Sequence, residues 1–315
     1  MASEVTPSPA LRPGVLDDIP GWFFAKDRLI FDWFLRRQER TGTDGDLLEL
    51  GAYLGKSAVV LGEHLRPAER LTVCDLFDSD APDDDNGAEM TMSYRSTLTR
   101  DSFEANYLAF HDELPVIVQA PTSVLADGRI PEGSCRFVHV DASHLYEHVA
   151  LDIKVARRAL APEGVIALDD FRSEHTPGVA AAVWEAVLSD GLRPICISSE
   201  KFYGTWGDPE PFQEELLREV KGWERCRTDV QTVSGHRIVR IEGKQVPVPG
   251  FRVSRYHAAL EAERAAARPA PAAADRRQAS LLRRTARDLL PPVVTRAIVR
   301  NRKRAAAAKT AGKTA

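Results

Sequence analysis

Apolar positions in this chain fall into short continuous runs, separated by longer stretches in which they recur at helical spacing. The runs that read as buried strands open at Asp46 and then cover Leu71–Asp75, Pro115–Gln119, Arg136–Asp141 and Gly164–Asp169. Strands alternating with helical segments predict an α/β fold, a doubly wound, Rossmann-like and mostly parallel sheet with helices on both faces. Ligands in such sheets bind beyond the carboxyl ends of the strands, and Glu49, Asp75, Asp141 and Asp169 all fall at those ends.

Upstream, Trp22, Phe23, Leu29, Ile30, Trp33 and Phe34 recur at helical spacing as far as Arg40, and Thr41-Gly42 supplies a stop. This aromatic stripe is read as core. Downstream the pattern predicts a helix over Val179–Ser189, a strand over Arg193–Ser199 and an antiparallel closing strand over Lys201–Trp206. A charged helix over Pro211–Trp223 follows, then a hairpin over Thr228–Arg240 turning at Ser234-Gly235. The acidic insertion between Phe77 and Met92 lacks the alternating spacing of a calcium loop. It is read as a solvated, mobile loop at the rim of an acceptor pocket.

Three segments result. Residues 1–19 are proline-rich and expected to be loose, 20–250 form the folded domain, and 251–315 form a basic Ala/Arg/Pro-rich extension, partly helical or disordered. The net charge of −4 conceals this division. From Arg252 onward sixteen Lys and Arg stand against four Asp and Glu, leaving −16 for the preceding body, which is a poor nucleic-acid binder. The extension carries Leu281, Leu282, Leu289, Leu290, Ile298 and Val299 among arginines; it fits an anionic membrane surface or an acidic partner, and equally an ordinary solvated tail. Neither a signal peptide nor a membrane-spanning run is evident, so a cytoplasmic location is expected. Cys74, Cys135, Cys196 and Cys226 are scattered without metal-binding spacing and read as buried free thiols.

The most informative stretch is Asp46–Val60, a strand entering a glycine turn and then a helix. Only Ala52, Tyr53 and Leu54 separate Gly51 from Gly55-Lys56-Ser57, one residue short of a Walker phosphate loop. Tyr53 stands where a dinucleotide fingerprint needs its second glycine, which disfavours an NAD-dependent oxidoreductase. A nucleoside without phosphates remains. Glu49 would repel phosphate and attract an ammonium or sulfonium, and Asp75, ending the second strand, suits a ribose diol.

The pattern Glu-x-Gly-x-x-x-Gly-Lys-Ser over residues 49–57, with Asp75, Asp141-Ala-Ser-His-Leu-Tyr-Glu147 and Leu168-Asp-Asp-Phe171, resembles the class I S-adenosylmethionine-dependent methyltransferases. It is most similar to the branch of metal-assisted small-molecule O-methyltransferases of the macrocin O-methyltransferase and cephalosporin hydroxylase-like type, over Asp46 to Trp206. The resemblance implies S-adenosylmethionine bound by Glu49, Gly51, Tyr53, Gly55, Ser57, Asp75, Ser123 and Asp141. It implies Mg²⁺ on Asp141, Asp169 and Asp170, three hard oxygen donors of the kind Mg²⁺ takes. Asp141 and His144 are then the catalytic candidates, with His144 the base. Some relatives carry an aspartate where this chain has Ser143, so His144 and a metal-bound water both stay open as proton acceptor. His139 is read as a core residue, His175 as a surface-loop residue, and Tyr146 and Glu147 as anchors of the turn. The implied substrate is a small-molecule hydroxyl on a sugar or natural product. A catalytically silent nucleoside-binding scaffold of the same fold is the alternative reading.

Overall fold

The computed structural model describes residues 12–93, 97–248 and 250–267; the side chains of residue 89 and residues 91–93 are left aside. The chain divides after Ala258 into two compact units. In the first, a nine-stranded sheet runs in the order β3-β2-β1-β4-β5-β7-β6-β9-β8. The strands are β1 (Asp46–Leu50), β2 (Leu71–Asp75), β3 (Val116–Gln119), β4 (Cys135–Val140), β5 (Leu160–Leu168), β6 (Arg193–Ile197), β7 (Phe202–Thr205), β8 (Cys226–Val233) and β9 (His236–Gly243). β1 to β5 pair in parallel, and β7 runs antiparallel to both β5 and β6, as the sequence predicts for the closing strand. The order reverses between β1 and β4, which places a crevice at their carboxyl ends.

Alternation along the strands divides the core. Leu47, Phe137 and Val165 pack with α1 (Ala25–Thr41), α2 (Lys56–Glu63), α4 (Arg100–Phe110) and α7 (Glu210–Glu219). Leu48, Val138 and Ile166 pack with α5 (Tyr146–Ala159) and α6 (Pro177–Ser189) on the other face. Each fully buried aliphatic or aromatic side chain contributes roughly 1.5–3 kcal/mol. Phe34 and Tyr203 stack at 5.4 Å, tying α1 to β7. Arg136 is fully buried, yet its guanidinium meets Glu69, the Gln38 side chain and the His64 carbonyl, so each of its three nitrogens has a partner.

Three expectations change here. α1 begins at Ala25, so Trp22 and Phe24 precede it and are exposed, while Ile30, Trp33 and Phe34 form the core stripe. Within the stretch expected to be loose, Leu16 and Ile19 are buried around a short 3-10 turn, Leu16–Asp18; residues 1–11 lie outside the described residues. The acidic insertion contains α3 (Asp84–Ser93) rather than a loop. Asp83 Oδ1 accepts the Asn86 amide at 2.8 Å, and Asp84 and Asp85 sit in the first turn, where the helix dipole favours them.

The hairpin turns at Ser234 and Gly235, both with positive φ, and β9 adds to β6 in parallel. Ile238, Val239 and Ile241 of β9 are buried, whereas β8 is mostly exposed and laced with Arg227–Glu242 and Arg240–Asp229 pairs. The residues of α8 (His257–Ala267), which begins two residues before the division, are not buried, and residues 268–315 of the basic extension lie outside the described residues. Among the described residues no helix is long and apolar enough to cross a membrane.

Candidate functional site

The carboxyl ends of the central strands are joined backbone to backbone. Gly51 donates to the Cys74 carbonyl at 2.8 Å, Asp141 to Leu50 at 2.7 Å and Asp169 to Val140 at 3.0 Å. Beyond them lies a cavity of about 630 Å³ whose lining includes Gly51, Tyr53, Ser57, Asp75 and Ser123 on one side and Asp141, His144, Asp169 and Asp170 on the other. That volume lies in the usual range for a small-ligand site. Residues expected to act together, and distant in the chain, therefore share one cavity.

The glycine loop is shaped by its neighbours. Gly51 has φ +80°, and Tyr53 also takes the left-handed conformation at φ 49°. Asp75 braces this turn: its Oδ2 accepts the amides of Ala52 at 2.7 Å and Tyr53 at 3.0 Å, and Oδ1 accepts that of Phe77 at 2.6 Å. Burial nevertheless pushes the Asp75 carboxyl up from its ordinary range, against those amides. Lys56, which also lines the cavity, pairs with Asp17 at 3.4 Å. Gly55 caps α2 from the left-handed region with Phe103 against it, and is not among the lining residues.

Glu49 is likewise absent from the lining. It is fully buried beneath the loop, where His139 Nδ1 lies 2.8 Å from its Oε1, and burial pushes its carboxyl up to about 8. The period of two that puts Leu48 and Leu50 on one face puts Glu49 on the other, in register with His139 of β4. His139 is buried as expected but is part of a polar chain. Lys201 Nζ donates to His139 Nε2 at 3.0 Å, pairs with Asp169 Oδ2, and stands 3.8 Å from Asp141 Oδ2.

This lysine is the residue that sequence reasoning missed. It is 1% exposed. Burial pulls its ammonium toward neutrality, but Asp169, Asp141 and Asp27 together raise it above the ordinary lysine range. Asp169, although buried, is held low chiefly by Lys201. Asp141, whose side chain keeps a third of its surface open, is raised by partial burial and by the charge of Asp169. Asp27 of α1, which accepts the Tyr203 hydroxyl at 2.7 Å, completes the buried cluster.

The expected metal set changes accordingly. Among the described residues the ligand atoms that gather within 4.8 Å of one another belong to His139, Asp141 and Asp169. Asp170, at φ 53°, turns its carboxylate elsewhere: Oδ2 lies 2.8 Å from His144 Nε2, and Oδ1 accepts the Ser173 hydroxyl at 2.7 Å. Those bonds overcome burial and hold Asp170 down to about 2. Asp170 therefore orients an imidazole.

Other groups complete the cavity. Trp22 and Phe24 line it, with Trp22 packed on the Tyr53 ring at 5.4 Å. Pro82, Asp83, Asn86 and Met90 line it from the acidic insertion. Ala120 and Thr122 lie beside Ser123, while Gln119 turns out to Asp78 and Ser79. His175, expected on an exposed loop, is exposed and also lines the cavity, its ring 6.0 Å from that of His144. Tyr146 donates to Glu185 of α6, which anchors the start of α5.

Residues 48–171 match a family model described as "Methyltransferase domain". Among solved structures, the chain is similar to CalS11, described as a TDP-rhamnose 3'-O-methyltransferase of calicheamicin biosynthesis, at 19% identity over 58% of this chain and 80% of that one, with a TM-score of 0.40. It is similar to the O-methyltransferase NovP at 16% identity over 58% and 81%, TM-score 0.46. It is also similar to an O-methyltransferase from Bacillus cereus in complex with SAH at 14% identity over 60% and 84%, TM-score 0.41. Likenesses this distant say nothing of this chain's substrate. No curated protein matches the chain.

Proposed function

We propose that this chain, which carries a methyltransferase domain over residues 48–171, transfers a methyl group from S-adenosylmethionine to a hydroxyl of a small molecule. The observation that carries the reading is the single cavity in which the nucleoside candidates Gly51, Tyr53, Ser57, Asp75 and Ser123 face the proton-handling pair His144 and Asp170. When bound, S-adenosylmethionine supplies an electrophilic methyl on a sulfonium. Gly51 leaves the backbone bare at the loop, Trp22 and Tyr53 offer flat apolar faces, and Asp141 offers a carboxylate a third exposed to the cavity.

Asp170 Oδ2 lies 2.8 Å from His144 Nε2 and orients the imidazole, the group that would take the acceptor's proton. With the donor bound, the acceptor oxygen would take the methyl carbon while the sulfonium sulfur would keep the electron pair of the carbon–sulfur bond. The protein's work is positioning, exclusion of water and removal of one proton. A sugar or natural-product hydroxyl as acceptor rests on the motif around Asp141–Glu147.

The donor set does not fit the expected Mg²⁺. One of its three gathered groups is an imidazole, Asp170 is committed to His144, and a buried ammonium already faces the others. No step here passes through a metal ion.

Calorimetric titration tests the reading. S-adenosylhomocysteine should bind with micromolar affinity, NAD should not bind, and radiolabelled methyl should transfer to a hydroxyl in an acceptor panel. An intact protein blind to S-adenosylhomocysteine sinks the reading.

A further inference from the structure

The cluster at the ends of β4 and β5 already contains its cation. His139 Nε2, Asp141 and Asp169 are the groups that gather as metal ligands would, and Lys201 Nζ faces all three: paired with Asp169, 3.0 Å from His139 and 3.8 Å from Asp141. A Mg²⁺ ion bonds its oxygens at roughly 2.0–2.1 Å and demands near-octahedral geometry. Here it would have to take the place of the ammonium or sit directly against it. Lys201 has little freedom to leave. It is almost wholly buried, it follows the turn in which Ser198 Oγ accepts the Lys201 amide at 2.9 Å, and it immediately precedes β7, which is pinned between β5 and β6.

We infer that Lys201 is the resident cation of this site, standing where a divalent ion would otherwise stand, and that the protein works without such an ion. Asp141 and Asp169 are carboxylates on neighbouring strand ends and repel one another; an ammonium between them keeps both in place. The same ammonium faces His139, which faces Glu49 under the glycine loop, so one buried chain of polar contacts links β1, β4, β5 and the start of β7. Lys201 is a positioning residue: Asp141, not Lys201, lines the cavity. The catalytic meaning of the inference rests on the proposed methyl transfer, but its metal-binding content does not.

The experiment uses the full chain dialysed against a chelator and titrated with Mg²⁺ and with Mn²⁺, which accepts both imidazole and carboxylate. Bound Mn²⁺ is read by electron paramagnetic resonance and by elemental analysis. The wild type should bind neither ion at the site and should turn over equally with and without chelator. Lys201→Met keeps the length and removes the charge; freed of the ammonium, the three donors should raise Mn²⁺ affinity by roughly tenfold or more. A merely structural lysine would not produce that gain, so a folded Lys201→Met that gains nothing overturns the inference. So does a wild type that binds one equivalent of either ion and loses it in Asp169→Asn, a result that stands even if Lys201→Met does not fold. S-adenosylhomocysteine titrated in parallel separates the two claims, because its failure to bind counts against methyl transfer and leaves the metal result to be judged alone.

Discussion

A β-carbon on Gly51 would stand 2.2 Å from the carbonyl oxygen of Asp141. The first and fourth strands are thus in van der Waals contact just where each ends, and the cavity floor exists only because one of the two residues has no side chain.

Gly51→Ala should therefore damage stability and binding together. Overpacking costs about 1–3 kcal/mol, and the left-handed backbone at φ +80° adds about 1–2 kcal/mol for a residue with a β-carbon. The melting temperature should fall, and S-adenosylhomocysteine affinity should drop by at least roughly tenfold. Unchanged calorimetry and melting would show that the loop can shift without cost.

His144→Gln should separate chemistry from binding. Losing a positioned base costs about 10²–10⁴-fold in rate, whereas S-adenosylhomocysteine affinity should stay close to wild type. Asp170→Asn should give a smaller loss, since it disturbs the orientation of the imidazole at 2.8 Å and leaves the imidazole present. Single-turnover kinetics at saturating acceptor distinguish the two; a full rate in His144→Gln would exclude it as the base.

Trp22→Ala should weaken ligand binding without weakening the fold. Trp22 is 58% exposed and precedes α1, so little core is lost, yet its ring packs on Tyr53 at the cavity. An aromatic face there contributes about 1 kcal/mol, so S-adenosylhomocysteine affinity should fall several-fold with the melting temperature unmoved. The reverse outcome would assign Trp22 to folding.

Asp152 makes the stability depend on pH. It is fully buried on α5, and that burial, only partly offset by the Thr122 hydroxyl and by His148, pushes its carboxyl up to about 7. The unfolded carboxyl titrates near 4, so between pH 4 and 7 the native state holds a proton that the unfolded chain has released. Stability should decline as pH rises through that window, by on the order of 4 kcal/mol. Asp152→Asn should flatten the decline, with near parity at pH 4 and a clear gain in melting temperature at pH 8. Parallel pH profiles for the two proteins would remove Asp152 as the cause.

Much of this was legible in the residues because strands buried on both faces need continuous apolar runs, and the acids that end those runs must lie at one sheet edge. Asp75, Asp141 and Asp169 follow from that rule; Gly51 follows from the loop spacing, and Tyr53 and His144 from the resemblance. The errors have local causes. Trp22 shares the helical spacing of Trp33 and Phe34, and spacing cannot reveal that the helix begins only at Ala25. The aspartates after Pro82 look like a solvated loop in composition, but Asp83 caps a helix whose first turn welcomes Asp84 and Asp85. Lys201 carried no signal at all. Its position depends on β7 running antiparallel beside β5, which brings a residue far along the chain under the Asp141 and Asp169 ends.

The hairpin beyond β6 has a consequence for the handling of shortened chains. β9 covers the free backbone of β6, and β8, whose Arg227 and Asp229 pair with Glu242 and Arg240 of β9, presents solvent with a charged border that other sheets cannot readily join. A protein cut ahead of Cys226 would uncover Ile195 and Cys196 together with a row of unsatisfied amides and carbonyls. Such a fragment would self-associate through that margin, even with every residue of the cavity intact.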